Sequence, residues 1–358
     1  MKLPVPPWFV RRPVALLLLA VLLALVLALL PLLVPVAALL SVVLPGRWRV
    51  LRLLGFVLAY LLVELGGLTA LLLLWLGSGC GLRSRAPAFQ RAHYAVLRGV
   101  LRDVVAVARR LFHLQLDTDG VSWSPVDDGK PGSTNAMVVL ARHAGPGDSL
   151  LLVETLMDRD HLRRPRIVLK DVLQWDPLLD VLLNRLPAVF VAPGRSDLAE
   201  RIGELASDLG EEDALLIFPE GANFSEGRRR RAIDRLLGKG MVSQAQRAEQ
   251  MCHVLPPRPG GVTAALQAAP HADVVLVAHA GLEHLSTLAD LWDGLPMDSA
   301  VRLCWWFVPA DQVPDDPAAQ EDWLYEHWAE LDRWVASHVE TGDPAARSPG
   351  VHPGPDTP

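Results

Sequence analysis

Residues 136–157 read AMVVLARHAGPGDSLLLVETLM, and this stretch sets the fold class. Residues 136–141, AMVVLA, form a short apolar run of the kind that makes a buried strand. SLLLVETLM, from 149, has the length and character of a helix. Between them lies RHAGPGD, 142–148, where Gly-Pro-Gly forces a sharp turn. On a continuous helix, residues five apart point away from each other and His143 and Asp148 could not meet. Across a turn, Asp148 can stand beside the imidazole, fix its tautomer and leave the other ring nitrogen as a base. Asp148 also reads as an N-cap for the helix, and His143 as an ordinary loop histidine.

The strand-turn-helix pattern recurs outward from this point. Further strands are predicted at 166–170, 187–192, 214–218, 274–279 and 301–308. Helices are predicted at 149–160, 171–186, 197–209, about 228–250, 260–269 and 318–339. Such alternation predicts an α/β domain over 131–340, with helices flanking a mixed central sheet. Residues 341–358 read as a disordered tail. The six tryptophans from 292 onward are expected mainly in the core.

Toward the N-terminus the composition changes. Apolar residues make up 51% of the 358-residue chain and mean hydropathy is +0.26, with the excess concentrated in the first 80 residues. Residues 13–45 carry no charge, and a second apolar stretch spans roughly 50–76. Residues 1–82 therefore read as a hydrophobic helical membrane anchor, either two spanning helices or a hairpin. Pro31 and Pro35 are expected to kink or break the first helix. Glu64 is costly inside the second stretch and needs a partner helix, a polar cavity or the interface. Lys2, Arg11 and Arg12 on one flank, and Arg83, Arg85, Arg91, Arg98 and Arg102 on the other, favour both ends on the cytoplasmic side. The basic segment 83–130 includes an amphipathic helix over 88–113, which lies either on a membrane surface or against the globular domain.

A net charge of −6 argues against a nucleic-acid partner. Three cysteines, Cys80, Cys252 and Cys304, without C-x-x-C spacing argue against a disulfide framework or a structural zinc, and no metal is expected.

Three further strand-end features carry candidate chemistry. FPEG, 218–221, ends a buried strand and reads either as a plain turn or as one whose glycine lets backbone amides approach a ligand. APGR, 192–195, puts Arg195 at a strand end before a helix, either as an anion contact or as a solvated residue. Arg228–Arg231 read either as a solvated basic turn or as a contact for anionic headgroups or a polyphosphate.

With His-x4-Asp at 143–148 and Phe-Pro-Glu-Gly at 218–221, 72 residues from Asp148 to Glu220, the chain resembles the glycerolipid acyltransferases of the lysophosphatidate (1-acylglycerol-3-phosphate) acyltransferase family. LPAVFVAPGR (186–195), with Lys170 upstream, is similar to the family's arginine block. VLPPRPGG (254–261) and the Trp-rich WLYEHWAELDRWV (323–335) resemble the lysocardiolipin acyltransferase-type branch. Arg142, where the family usually has asparagine, the Gly-Pro-Gly insert, and VVLVAHAG (274–281), which lacks the family's proline, depart from the pattern.

The resemblance implies a membrane-bound acyltransferase with no cofactor beyond its acyl donor, acyl-CoA or acyl carrier protein. The acceptor would be a lysophospholipid such as 1-acyl-glycerol-3-phosphate. His143 would be the base and Asp148 its orienting acid. Lys170, Arg195 and Glu220 would hold the glycerol phosphate, the backbone around Gly221 would supply oxyanion or phosphate donors, and Arg258 would be a further phosphate contact. The alternatives are a hydrolase or metal-assisted enzyme built on His143, Asp148 and Glu220, and a membrane-anchored lipid-binding protein without activity. The departures at Arg142 and Gly-Pro-Gly point to that turn as the place where substrate preference would be set.

Overall fold

The computed structural model describes residues 5–118, 135–145, 147–158, 162–192, 197–283, 292–297 and 300–339. The tail expected at 341–358 lies outside the described residues. Seven strands form one mixed sheet: β1 (Leu116–Thr118), β2 (Met137–Ala141), β3 (Arg164–Lys170), β4 (Ala188–Val191), β5 (Asp213–Ile217), β6 (Asp273–Ala280) and β7 (Val301–Val308). Their order is β1-β7-β6-β2-β5-β3-β4. The five strands from β6 to β4 are mutually parallel, whereas β7 runs antiparallel to β6 and pairs in parallel with β1. The α/β class with a mixed sheet is thus as expected. β1 was missed because three residues carry no periodicity.

Side chains alternate across the sheet and fill two cores. Val138, Leu140, Leu215, Val274 and Leu276 face one side. There they meet α6 (Leu198–Ala206), α8 (Val242–Gln250), α9 (Pro259–Ala268) and α10 (Pro317–Val339). Trp328 of α10 is fully buried and donates its indole N–H to the Leu255 carbonyl at 3.1 Å. Met137, Val139, Leu216, Val275 and Val277 face the other side. They meet α3 (Pro87–Phe112), α4 (Asp148–Met157) and α5 (Pro177–Leu183).

Two predicted helices are divided. The 228–250 segment is α7 (Glu226–Gly238) and α8, separated at Gly240, whose φ of +74° lies outside the helical region. The 171–186 segment is a 3-10 turn, Asp171–Trp175, followed by α5. Asp176 ends the first by capping the second, its side chain accepting from the Leu179 amide at 2.8 Å ahead of Pro177 at the first helical position.

The amphipathic helix α3 is packed rather than free. His93, Tyr94, Leu97, Leu101 and Val105 are buried, while Arg91, Arg98, Arg102, Arg109 and Arg110 are exposed. The two N-terminal helices, α1 (Trp8–Val43) and α2 (Arg49–Gly77), are each long and apolar enough to cross a membrane. At ~1.5 Å per residue, α1 is about 54 Å long, well beyond a ~30 Å hydrocarbon core. Its prolines do not break it: α1 runs through Pro13, Pro31 and Pro35. Each proline removes one hydrogen bond of a long ladder, and the leucine-rich flanks hold the helix on both sides.

Most of α1 is exposed and it buries only Arg11, Ala15, Ala37 and Ser41, whereas α2 buries the larger Leu61, Glu64 and Leu71, with Gly67. A Cβ on Gly67 would lie 2.8 Å from Leu178 of α5, so this glycine permits close packing of the apolar hairpin on the domain. Two further bonds tie the parts together: buried Asp180 of α5 accepts from Arg11 at 2.6 Å and from Arg12 at 2.7 Å.

Candidate active site

The ends of the parallel strands gather the chemistry. β2, β3, β4 and β5 all finish at the same edge of the sheet, which brings the loops after Ala141, Lys170, Val191 and Ile217 together. Ligands of open α/β sheets bind at this edge.

After β2 the chain turns back on itself, and His143 Nδ1 lies 2.8 Å from Asp148 Oδ2. A carboxylate only accepts, so Nδ1 carries the proton and Nε2 is left as the basic nitrogen. Asp148 Oδ2 also accepts from the Ala144 amide at 3.0 Å and the Gly145 amide at 3.3 Å. Oδ1 accepts from the Ser149 amide at 2.6 Å and its hydroxyl at 3.1 Å. Burial would raise the Asp148 pKa. The hydrogen bond and charge of His143, with the Ser149 amide, outweigh it and hold the carboxyl below its usual range.

Asp148 is not the N-cap expected from the sequence. Gly147 occupies that position with φ +90°, and Asp148 is the first residue of α4, where the helix dipole favours a negative charge. Its oxygens are turned back toward the loop and His143. Gly145 is required for a different reason: a Cβ there would sit 2.5 Å from the Leu282 carbonyl oxygen.

His143 is held from a second side by the loop after β5. The Phe218 ring packs on the imidazole at 4.7 Å, and the Phe224 amide donates to the His143 carbonyl at 2.8 Å. Glu220 is 1% exposed, and its carboxyl accepts long bonds from the His143 amide (3.4 Å) and the Leu255 amide (3.3 Å). Burial pushes its pKa up to about 8, against the lowering effect of Arg142. The geometry makes Glu220 a brace between the His143 loop and the Leu255 segment.

Gly221, with φ +67°, donates its own amide to the Phe218 carbonyl at 3.0 Å, which closes the turn. That amide is therefore engaged. The Ala222 and Asn223 amides, which bond no protein acceptor among the described residues, are the turn's open donors. Arg258 is fixed nearby by its amide bond to the Pro219 carbonyl at 2.9 Å, and its guanidinium lies over Gly221. A cleft of about 560 Å³ opens here, lined by Glu220, Leu255, Arg258 and, from α7, Arg228, Arg231 and Arg235.

The tetra-arginine run divides its work. Arg228 and Arg231 line the cleft. Arg229 turns inward to the Met251 and Glu249 carbonyls, at 2.5 and 2.7 Å, and Arg230 pairs with Glu226 at 3.0 Å. Lys170 is exposed at the end of β3, on the same edge. Arg195 lies outside the described residues.

Two residues near the dyad were misjudged or missed in the sequence. Arg142 belongs to the turn, with Gly-Pro-Gly, where substrate preference was expected, and its guanidinium is buried. It donates to the His279 carbonyl (2.6 Å) and the His253 carbonyl (2.8 Å) and pairs with Glu283. It is a strut, because a buried guanidinium must be surrounded by acceptors. His279, on β6, was not singled out. Its Nε2 donates to the Arg142 carbonyl at 3.1 Å and lies 3.7 Å from Asp148 Oδ2. Burial, then the charge of Arg142, pushes its pKa down to about 4, so it is neutral at pH 7 and packs behind Asp148. The only sequence signal was a titratable residue in an otherwise apolar strand. Among the described residues, no group of three His, Cys, Asp or Glu side chains is placed to hold a metal ion.

Comparison with known proteins gives one result. The acyltransferase family model matches residues 128–279, a segment that contains β2 through most of β6 and with them the His143, Asp148 and Glu220 loops. Among curated proteins and among solved structures, none matches the chain. The His-Asp turn and the FPEG turn stand at one edge of a mixed α/β sheet inside the matched segment, and over that segment the chain is similar to the glycerolipid acyltransferase family.

Proposed function

We propose that the protein transfers a fatty acyl group from acyl-CoA, or from acyl carrier protein, to the free hydroxyl of a lysophospholipid. The acceptor we assign is 1-acyl-glycerol-3-phosphate, which would give phosphatidic acid. The reaction would take place at the cytoplasmic face of a membrane that holds α1 and α2. The observation that carries this reading is the 2.8 Å bond from His143 Nδ1 to a carboxylate with four further donors.

His143 Nε2 removes the hydroxyl proton as the oxygen attacks the thioester carbonyl. The resulting imidazolium is stabilised by Asp148, which stays ionised. The tetrahedral oxyanion needs donors, and the open Ala222 and Asn223 amides are those nearest the FPEG turn. Collapse of the intermediate breaks the carbon–sulfur bond, and the proton on Nε2 passes to the departing thiolate. Lys170, at the end of β3, and Arg195 hold the acceptor phosphate, and Arg258 offers a further phosphate contact. Glu220 supports His143 through the backbone. A chain anchored by an apolar hairpin suits the reaction, because acceptor and product both stay in the bilayer.

The test is incubation of the purified protein in liposomes with labelled acyl-CoA or acyl carrier protein thioester and a panel of lysophospholipids. Labelled phosphatidic acid from the lysophosphatidate arm is the expected result. Hydrolysis of the thioester without transfer would favour a hydrolase. No turnover of any acceptor would favour a lipid-binding protein.

A further inference from the structure

The hairpin holds a second polar centre, beside α5 on the other face of the sheet from α7 and its arginine cleft. A groove of about 430 Å³ runs between α1, α2 and the start of α5. Most of its wall is apolar, including Leu18, Leu22, Phe56 and Trp175. Set into this wall are Tyr60, Glu64 and Asp176. Tyr60 donates its hydroxyl to Asp176 Oδ2, and Asp176 Oδ1 is taken by the Leu179 amide. Glu64 is 2% exposed, and its Oε2 is buried without a hydrogen-bond partner. Among the described residues, no lysine or arginine lines the groove. The two nearest in sequence on α1, Arg11 and Arg12, are both committed to Asp180.

Two acids and a tyrosine without a base, one carboxyl oxygen unpartnered, make an incomplete polar cluster. Its complement is a cation with N–H donors. The apolar wall requires that the cation arrive attached to hydrocarbon. Leu18 and Leu22 of its wall are themselves exposed on the apolar helix α1, so the source that fits is the surrounding bilayer.

We propose that this groove binds a membrane lipid whose headgroup ends in a primary ammonium, with Glu64 and Asp176 accepting from the ammonium and the α1 and α2 side chains packing on the lipid's hydrocarbon. The inference rests on the membrane reading of α1 and α2 and is independent of the acyl-transfer chemistry. A primary ammonium is selected over a quaternary one because only the former has protons to donate to the unpartnered oxygen.

The test places the full chain in nanodiscs with equal fractions of phosphatidylethanolamine and phosphatidylcholine in a phosphatidylglycerol background. Native mass spectrometry then counts the lipids retained on the released protein. The wild type is expected to retain the primary-ammonium lipid over the choline lipid by roughly fivefold, the effect of one added hydrogen bond. Glu64→Gln is expected to bring the ratio close to one, and Tyr60→Phe, which keeps the packing and frees Asp176 Oδ2 as an acceptor, to raise it. An equal ratio in the wild type overturns the proposal, and is the outcome for a neutral Glu64 that serves only helix packing. A ratio unchanged in both variants overturns it equally. Failure of the wild type to enter nanodiscs overturns it together with the membrane reading, whereas entry without lipid preference leaves that reading standing.

Discussion

Asp148 and Glu220 are two buried carboxyls on neighbouring turns, each attached to His143, and they differ in almost every other respect. Asp148 has five donors, among them the imidazole and the Ser149 amide, and its pKa falls. Glu220 has two long backbone bonds at 3.3 and 3.4 Å, and its pKa rises to about 8. Burial is similar for both, at 2% and 1% exposed, so it does not set the charge. The number and quality of donors does. One turn thereby supplies a fixed negative charge that orients a base, and the other supplies a neutral acid that braces it.

The comparison can be broken most severely at Asp148. Asp148→Asn keeps the shape but removes the charge, and it permits the wrong tautomer of His143. We expect kcat to fall by about 10²–10⁴-fold with little change in KM, measured as steady-state acyl transfer. Loss of less than a few-fold would show that the carboxylate does not act through His143.

Arg258→Ala tests the rim of the Glu220 turn. Removing a phosphate contact made equally in ground and transition states is expected to raise KM for a phosphate-bearing substrate by about tenfold and leave kcat near normal. A fall in kcat with KM unchanged would instead assign Arg258 to the transition state.

Glu220→Gln has the smallest effect and sharpens the contrast. An acid whose folded pKa is raised stabilises the fold below its unfolded pKa and loses that contribution as pH rises through about 8. His279, pushed down to about 4, and Asp148, held low, contribute in the opposite direction, but only below about pH 6.5. The wild-type Tm should therefore fall between pH 6.5 and 8 through this group, and the Glu220→Gln slope should be flatter, by thermal unfolding. Equal slopes would mean that Glu220 titrates normally.

Much of this was legible in the sequence because the signals were long or rigid. Residues 301–308 form a strand end to end, and Pro317–Val339 departs from its predicted range by one residue. The His-x4-Asp turn could be read because Gly-Pro-Gly excludes a helix. What escaped depended on contacts between distant segments. Nothing local to Arg142 indicates that carbonyls of residues 253 and 279 surround it. Nothing local to His279 places it 3.7 Å from Asp148. Glu220 was placed among the substrate contacts by the resemblance alone, whereas its carboxyl accepts from the backbone of His143 and Leu255. Asp148 was assigned as a cap because the φ of Gly147 is not written in the sequence.

The central claim is that His143 is the base of an acyl transfer. The most direct measurement is acyl transfer from labelled acyl-CoA to lysophosphatidate by liposome-bound wild type and His143→Ala, with liposome binding measured on the same samples. The account predicts product from the wild type, none above background from His143→Ala, and equal binding of both. Near-normal turnover by His143→Ala would contradict it.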